Sequence, residues 1–386
     1  MTTTKDRAFA TVKEMGRINA FFPILQRLGN RWAASRPWEG RRIGLNLHLT
    51  SLTACLVREM TLGGGEFVVT AASPATTDPG TVDYLRGEGL HVYTGGDMQN
   101  RFLQALDHAP EILVDVGFEL IATVLDQRAD LVPSILGAVE VTRSGVVQLK
   151  KRSNLPFPII NINDGRLKNA VENRHGVGEA IWQAVTLLTG MHLSGRRVGV
   201  WGYGPVGKGL AAYARAAGMS VEVIERDPCM RLLAHYDGFP TPEANDALTR
   251  IGVAVTATGS PNVITAEHLK HAKDGIVLLN AGHGGDEINV KSIREVASRE
   301  DHIAEQVVRY ALAPGKRVTV LGAGHPLNIV LNSGSPEPVL LHFAVLGLAT
   351  EALCKNTYVP GETLVPPEIE NQAAMFALEA LDLVAG

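Results

Sequence analysis

Three glycines at GxGxxG spacing, Gly202, Gly204 and Gly207, interrupt an apolar run that opens Val198-Gly-Val-Trp201. The segment Leu210–Ala217 then reads as a helix, Gly218 ends it, and Ser220-Val-Glu-Val-Ile224 reads as a strand that finishes at Glu225. Each part suits the binding of a dinucleotide. The first glycine makes a tight turn, the second lets the backbone approach a pyrophosphate, and the third lets helix and strand pack closely. The helix N-terminus, with Pro205 and Val206 in its first turn, offers N–H groups and positive dipole to the phosphates. Glu225, 18 positions after Gly207, is placed to accept hydrogen bonds from an adenosine ribose, which favours NAD over NADP.

The rest of the chain must position this unit. Its 386 residues suggest two domains, possibly three, and 45% hydrophobic with 20% charged residues is ordinary globular composition. A net charge of −4 argues against nucleic acid. Cys55, Cys229 and Cys354 have no zinc-ligand spacing, so no metal is expected and a reducing cytoplasm is the expected compartment. There is no signal-like start, and no run of 18 apolar residues, so no membrane partner is expected. The first 40 residues carry helical patterning (Ile18, Phe21, Phe22, Leu25, Leu28). From Arg42 onward apolar strand-like runs alternate with helical segments: Arg42–Leu47, Gly65–Ser73, Leu90–Tyr93, Glu111–Asp115, Pro158–Ile162, Gly252–Thr256, Gly275–Asn280 and Arg317–Leu321. Such strands have no wet face, which argues for parallel sheets covered by helices. The expected fold class is therefore α/β, two domains with parallel sheets. A central Rossmann NAD-binding domain (176–328) interrupts a discontinuous substrate-binding domain (1–175 and 329–386) whose tail reads as helical.

Several short motifs in order extend the picture: Ala34-Ser-Arg-Pro-Trp-Glu-Gly-Arg-Arg-Ile-Gly44, Leu47-His-Leu-Thr50, Asn163-Asp164 with Lys168 and Asn173, and Gly202–Gly209. Glu225-Arg-Asp-Pro228, Thr258-Gly259, Asn280-Ala-Gly-His283 with Glu287, and Gly324-His-Pro326 complete the series. Through these the chain resembles the S-adenosylhomocysteine hydrolase family from about Ala33 to Asn332. The resemblance implies that a nucleoside's ribose 3'-hydroxyl is oxidised at the expense of a resident NAD, which acidifies the 4' C–H. The 5' substituent is then eliminated, water normally adds, and the ketone is reduced again. It also implies roles. Lys168 and Glu172 handle the proton at O3', Asn173 lies near the reacting sugar, and His48 does acid–base work at the 5' end. His283 stands between cofactor and substrate, and His325 at the domain seam. Thr50, Thr53, Glu140 and His325 are expected to contact substrate. Thr142, Ser144, Gly202, Gly204, Pro205, Val206, Gly207, Glu225, Thr258, Gly259, Asn280, Gly282 and His283 are expected to hold NAD. A homo-oligomer, dimer or tetramer, is implied as well.

The departures from the family fall on the site. The family aspartate after the strand Ile112–Asp115 falls on Val116, and its sugar-contacting carboxylate falls on Val141. Valine neither accepts a hydrogen bond nor moves a proton. The residue that reads the adenine edge falls on Leu52, an asparagine near the nicotinamide falls on Val320, and two aromatics fall on Gly284 and Asn328. In place of the family's C-terminal lysine and tyrosine stands the helical pattern Glu370–Leu383. Three readings follow: a nucleoside dehydratase or lyase giving a 4',5'-unsaturated product, a genuine S-adenosylhomocysteine hydrolase, and a catalytically silent NAD- or nucleoside-binding regulator.

Overall fold

The computed structural model describes residues 3–282, 286–312, 315–331 and 333–384. Contacts divide the chain into two compact units, Met1–Lys168 with Pro336–Gly386, and Asn169–Ser335. In chain order the strands are β1 (Arg42–Leu47), β2 (Glu66–Ala71), β3 (His91–Tyr93), β4 (Ile112–Asp115), β5 (Gly137–Glu140), β6 (Pro158–Asn161), β7 (Arg197–Trp201), β8 (Ser220–Ile224), β9 (Val253–Thr256), β10 (Ile276–Asn280), β11 (Ala297–Ala304), β12 (Val307–Leu312), β13 (Lys316–Leu321) and β14 (Gly361–Leu364).

The first unit is built on a seven-stranded sheet ordered β14-β6-β5-β4-β1-β2-β3. Every neighbouring pair in it is parallel. Residues of β4, β5 and β6 are buried throughout, because helices cover both faces and leave no strand a wet side. The strand order reverses between β1 and β4, and ligands of open parallel sheets bind outside the carboxyl ends at such a reversal. Side chains alternate faces along each strand. Ile112, Val114, Val116, Val139, Val141, Ile160 and Ile162 therefore join the larger core on one face, while Leu113, Ala138 and Ile159 join a smaller core on the other.

The larger core is closed by helices Thr4–Phe21 and Ile24–Ser35, separated at Pro23, and by Glu337–Lys355. The last of these is long and apolar enough by composition to cross a membrane, contrary to the sequence expectation. It is instead a core helix, with 67% of its most apolar window buried within the protein. Glu351 on this helix is buried and accepts hydrogen bonds from Arg31, from Trp32 Nε1 at 2.9 Å and from Lys355 at 2.5 Å. The C-terminal tail departs from its all-helical expectation in one place. Gly361–Leu364 forms β14, which pairs with β6 and extends the sheet. Four residues with alternating half-burial carry too short a pattern to stand out from a Pro-rich break.

The second unit holds a seven-stranded sheet ordered β11-β12-β13-β10-β9-β7-β8. Five strands run parallel, in the arrangement expected of a dinucleotide fold. β11 and β12 are antiparallel, so the expectation of purely parallel sheets fails at this edge. β11 is an outer strand bearing Arg299, Glu300 and Asp301, a charged, mostly exposed pattern that periodicity did not mark as a strand.

Replacing Glu351 with leucine leaves Trp32 Nε1, on a fully buried ring, without its acceptor. We expect Glu351→Leu to lower unfolding free energy by about 1–3 kcal/mol in urea titrations, and Glu351→Gln by less. A loss below about 0.5 kcal/mol would show that this cluster contributes no net stability.

Candidate functional site

In the second unit β7 runs into Gly202, whose φ of 95° only glycine adopts without strain. A Cβ there would meet the Ala257 carbonyl oxygen at 2.5 Å, and a Cβ at Gly207 would run into the Gly202 carbonyl oxygen. These two glycines are required by the protein's own packing. Gly204 is different: it has ordinary φ, and a Cβ there would meet nothing within 4 Å. The space beside it fits a ligand approaching the backbone, as a pyrophosphate does. Gly204 caps the helix Pro205–Ala216, with Pro205 pre-set for its first turn and the N–H groups of Val206 and Gly207 near the open end.

Glu225 follows β8 at the neighbouring strand end. Its carboxylate accepts from Tyr203 N and Asp227 N, both at 2.8 Å, which fixes it beside the glycine turn with lone pairs left for ribose hydroxyls. Beyond β9, Glu287 is fully buried and accepts from Thr258 N at 2.9 Å, Thr258 Oγ1 at 2.8 Å and Gly259 N at 2.8 Å. It thereby sets the loop of the two expected cofactor residues. Asn280, at the end of β10, accepts from Thr256 Oγ1 at 3.0 Å and Gly282 N at 2.8 Å. Gly282 is required because a Cβ would run into the Glu287 carboxylate. His283 and Gly284 lie outside the described residues. His325 is exposed just past β13, where Pro326 bridges to Asn280.

The nicotinamide-facing asparagine expected at position 320 needs revising, because Val320 is fully buried within β13 and paired with Leu278. Asn328, in the turn Leu327–Val330 beyond that strand, has a buried Oδ1 with no hydrogen-bond partner among the described residues. The sequence reading had assigned that position only as a lost aromatic.

In the first unit one row of paired residues crosses the sheet: Thr70, Asn46, Asp115, Glu140 and Asn161. All are buried. Asn46 donates to Asp115 Oδ1 at 2.8 Å and accepts from Thr70 Oγ1 at 3.2 Å. Asp115 also accepts from Ile121 N at 2.8 Å. Glu140 Oε1 accepts from Thr142 N at 2.8 Å, Thr142 Oγ1 at 2.9 Å and Gly117 N at 3.3 Å, tying together the segments that leave β4 and β5. Glu140 is thus wholly enclosed and engaged with its own loops, although it had been expected to contact substrate. Burial, reinforced by Asp115, pushes its carboxyl up to about 8. Burial raises Asp115 to about 6 and Glu119, with help from Asp115, to about 7.

The next residue on each strand points to the opposite face. There stand Val116 and Val141, 8% and 6% exposed, in the larger core beside Leu47 and Ile162. His48 follows β1, with Nδ1 2.6 Å from Thr76 Oγ1 and its carbonyl bonded by Thr53 Oγ1. Thr50 caps the following helix and Thr53 is buried. Leu52 is half-buried against the same core. Thr142 caps the helix Arg143–Leu149 by accepting from Gly145 N at 3.2 Å, and lies 3.1 Å from Ser144 Oγ. Sequence reasoning treated Lys168, Glu172 and Asn173 as an α-helical pattern. The segment Lys168–Val177 is instead a π-helix, whose i→i+5 bonding brings positions 168, 172 and 173 to one side. Asn173 Nδ2 donates to Asn169 Oδ1 at 3.3 Å.

The carboxyls of Asp115 and Glu140 bind protons more tightly in the folded chain than their ordinary values of 3.8 and 4.5. Their contribution to stability is fully present below those values and is lost as pH rises through about 6 and about 8. We therefore expect the melting temperature of the first unit to fall between mildly acidic and mildly alkaline pH. Glu140→Gln, which stays uncharged, should flatten that fall and raise the alkaline melting temperature. An unchanged pH slope in differential scanning calorimetry would show that Glu140 is ionised at no cost.

Residues 173–334 match the family described as S-adenosyl-L-homocysteine hydrolase, NAD binding domain. Over 373 residues the chain is 34% identical to the S-inosyl-L-homocysteine hydrolase of Methanopyrus kandleri, covering 94% of this chain and 88% of that protein. It is 33% identical over 382 residues to the adenosylhomocysteinase of Thermococcus kodakarensis, covering 96% and 91%. The S-inosyl-L-homocysteine hydrolase of Methanocaldococcus jannaschii is 32% identical over 372 residues, covering 94% and 89%. The glycine turn, the open side of Gly204 and the Glu225 carboxylate fit NAD, and NAD is the cofactor of the matched domain. With relatives this similar over almost its whole length, the chain belongs to the S-adenosyl-L-homocysteine hydrolase family.

Proposed function

We propose that this protein is a nucleoside dehydratase or lyase of its family. It takes a 5'-substituted nucleoside through oxidation at C3', loss of the C4' proton and elimination of the 5' substituent, and releases a 4',5'-unsaturated nucleoside. The observation that carries this reading is the pair Val116 and Val141, packed into the apolar core just past the ends of β4 and β5. Lys168 and His48 remain in the same unit.

Bound NAD supplies a reversible hydride acceptor for C3', so the turnover is redox-neutral. Lys168 holds and moves the proton at O3', with Glu172 and Asn173 on its side of the π-helix. Thr76 engages Nδ1 of His48, which turns Nε2 to the opposite side of the ring, suited to giving a proton to the departing 5' group. Glu140 holds Thr142 and the Gly117 turn in place. An aliphatic edge at Val116 and Val141 neither binds nor activates water, so the alkene leaves without hydration. Relatives are named for adenosyl and for inosyl substrates, so membership leaves the base open, and half-buried Leu52 gives an apolar rather than hydrogen-bonding side to read it. Hydrolysis of an S-nucleosidylhomocysteine is the second reading, favoured by near-full-length identity to hydrolases.

The test incubates holoenzyme in heavy water with adenosine, inosine and the corresponding S-nucleosidylhomocysteines. NADH absorbance, deuterium at C4' and product mass are followed. We expect an absorbance transient, deuterium exchange and a product lacking the 5' substituent. Water-added product with released homocysteine would establish the hydrolase reading instead, and neither transient nor exchange would remove both. Lys168→Ala and His48→Ala should each slow turnover at least about 100-fold with NAD still bound, and unaffected turnover would remove that residue's assigned role.

A further inference from the structure

On the core face of the first sheet, the residues that end the strands are apolar: Leu47, Val116, Val141 and Ile162. The polar group that meets this face comes from elsewhere, the long helix Glu337–Lys355. Three polar residues of that helix are buried: His342, Thr350 and Glu351. Thr350 donates to the Leu346 carbonyl at 2.8 Å, and Glu351 is bonded by Arg31, Trp32 and Lys355. Each of those two has a local structural task. His342, 3% exposed, instead meets the backbone carbonyl of Val141 and lies within the field of the Lys168 ammonium.

We infer that His342 is a positioning residue for Lys168, supplying from the helix a polar contact on the face where Val141 supplies none. Its imidazole donates one ring N–H to the Val141 carbonyl, which fixes the tautomer. The second ring nitrogen is then a lone-pair acceptor for the Lys168 ammonium. Burial, with the Lys168 charge adding to it, holds the ring well below its ordinary 6.5, so it stays a neutral acceptor. A leucine would continue the apolar surface of the helix without the desolvation penalty of a buried imidazole. The sequence signal was available: a lone histidine within an otherwise apolar 19-residue helix.

The role in turnover rests on the proposed 3'-oxidation, but the effect on Lys168 does not. His342→Phe fills the ring's volume without a nitrogen acceptor, and His342→Gln restores an acceptor. Two measurements are made on NAD-loaded protein. One is the rate of NADH appearance on adding nucleoside. The other is reductive methylation of Lys168 against pH, read by mass spectrometry in the absence of nucleoside. For His342→Phe we expect NADH formation to slow about tenfold, with half-saturation unchanged within about twofold, and the Lys168 labelling midpoint to move. His342→Gln should recover most of both. A Phe variant with wild-type rate and labelling profile overturns the inference and leaves His342 a packing residue. If wild-type protein forms no NADH with any nucleoside, the proposed function falls, and the Lys168 labelling profile alone decides the role of His342. Should His342→Phe fail to fold, His342→Leu carries the same expectations.

Discussion

A parallel sheet delivers the last residue of every strand to the same edge, and both units depend on that constraint. Because the strands run one way, their helices all return over the faces, and the only open ground is the carboxyl edge. His48, Val116, Val141 and Thr142 gather there in the first unit, while Gly202, Glu225, Thr258 and Gly282 gather there in the second. Alternation then divides the edge between faces. One residue of each strand faces the buried carboxylate row, and the next faces the core that His342 shares.

The buried carboxylates act on loops more than on solvent. Glu140, Glu225 and Glu287 each accept hydrogen bonds from backbone N–H groups just past a strand end. Loops that must leave a sheet with their N–H groups enclosed need acceptors, and a carboxylate can take several at once. Where the carboxylate is also near another, as Glu140 is to Asp115, the proton becomes the cheaper way to neutralise it. The same groups therefore shape the edge and set how its stability responds to pH.

The local rules in the sequence were enough for the cofactor half. Gly202, Gly207 and Glu225 act through immediate neighbours, so spacing alone carried their meaning, and the structure adds why Gly204 alone of the three has open space where a side chain would stand. The substrate half was harder to read, because its decisive relations are non-local. Glu140 and Val141 are adjacent in sequence yet face opposite sides of the sheet, so one is enclosed with its loops and the other meets the core. Asn328 and His342 follow β13 by chain but matter through what they face, which no periodicity reports. β14 and β11 escaped for another reason: one is too short and the other too charged to carry a strand's pattern.

Losing a carboxylate from a strand end does not by itself silence a site. Strand positions are rigid, so a functional group removed at Val141 cannot be recovered from its own strand without moving the ladder that Val141 N makes with the Asp115 carbonyl. A helix lying across the sheet has no such restriction: a single turn can present a new side chain while the backbone keeps its packing. His342 occupies such a position, and its ring reaches the carbonyl of the very residue whose side chain is aliphatic. The substitution of a fixed acid by a neutral imidazole changes what the edge can do. A neutral ring can hold a lysine proton in place, but it does not add a negative charge beside a sugar, and that combination suits elimination better than the return of water.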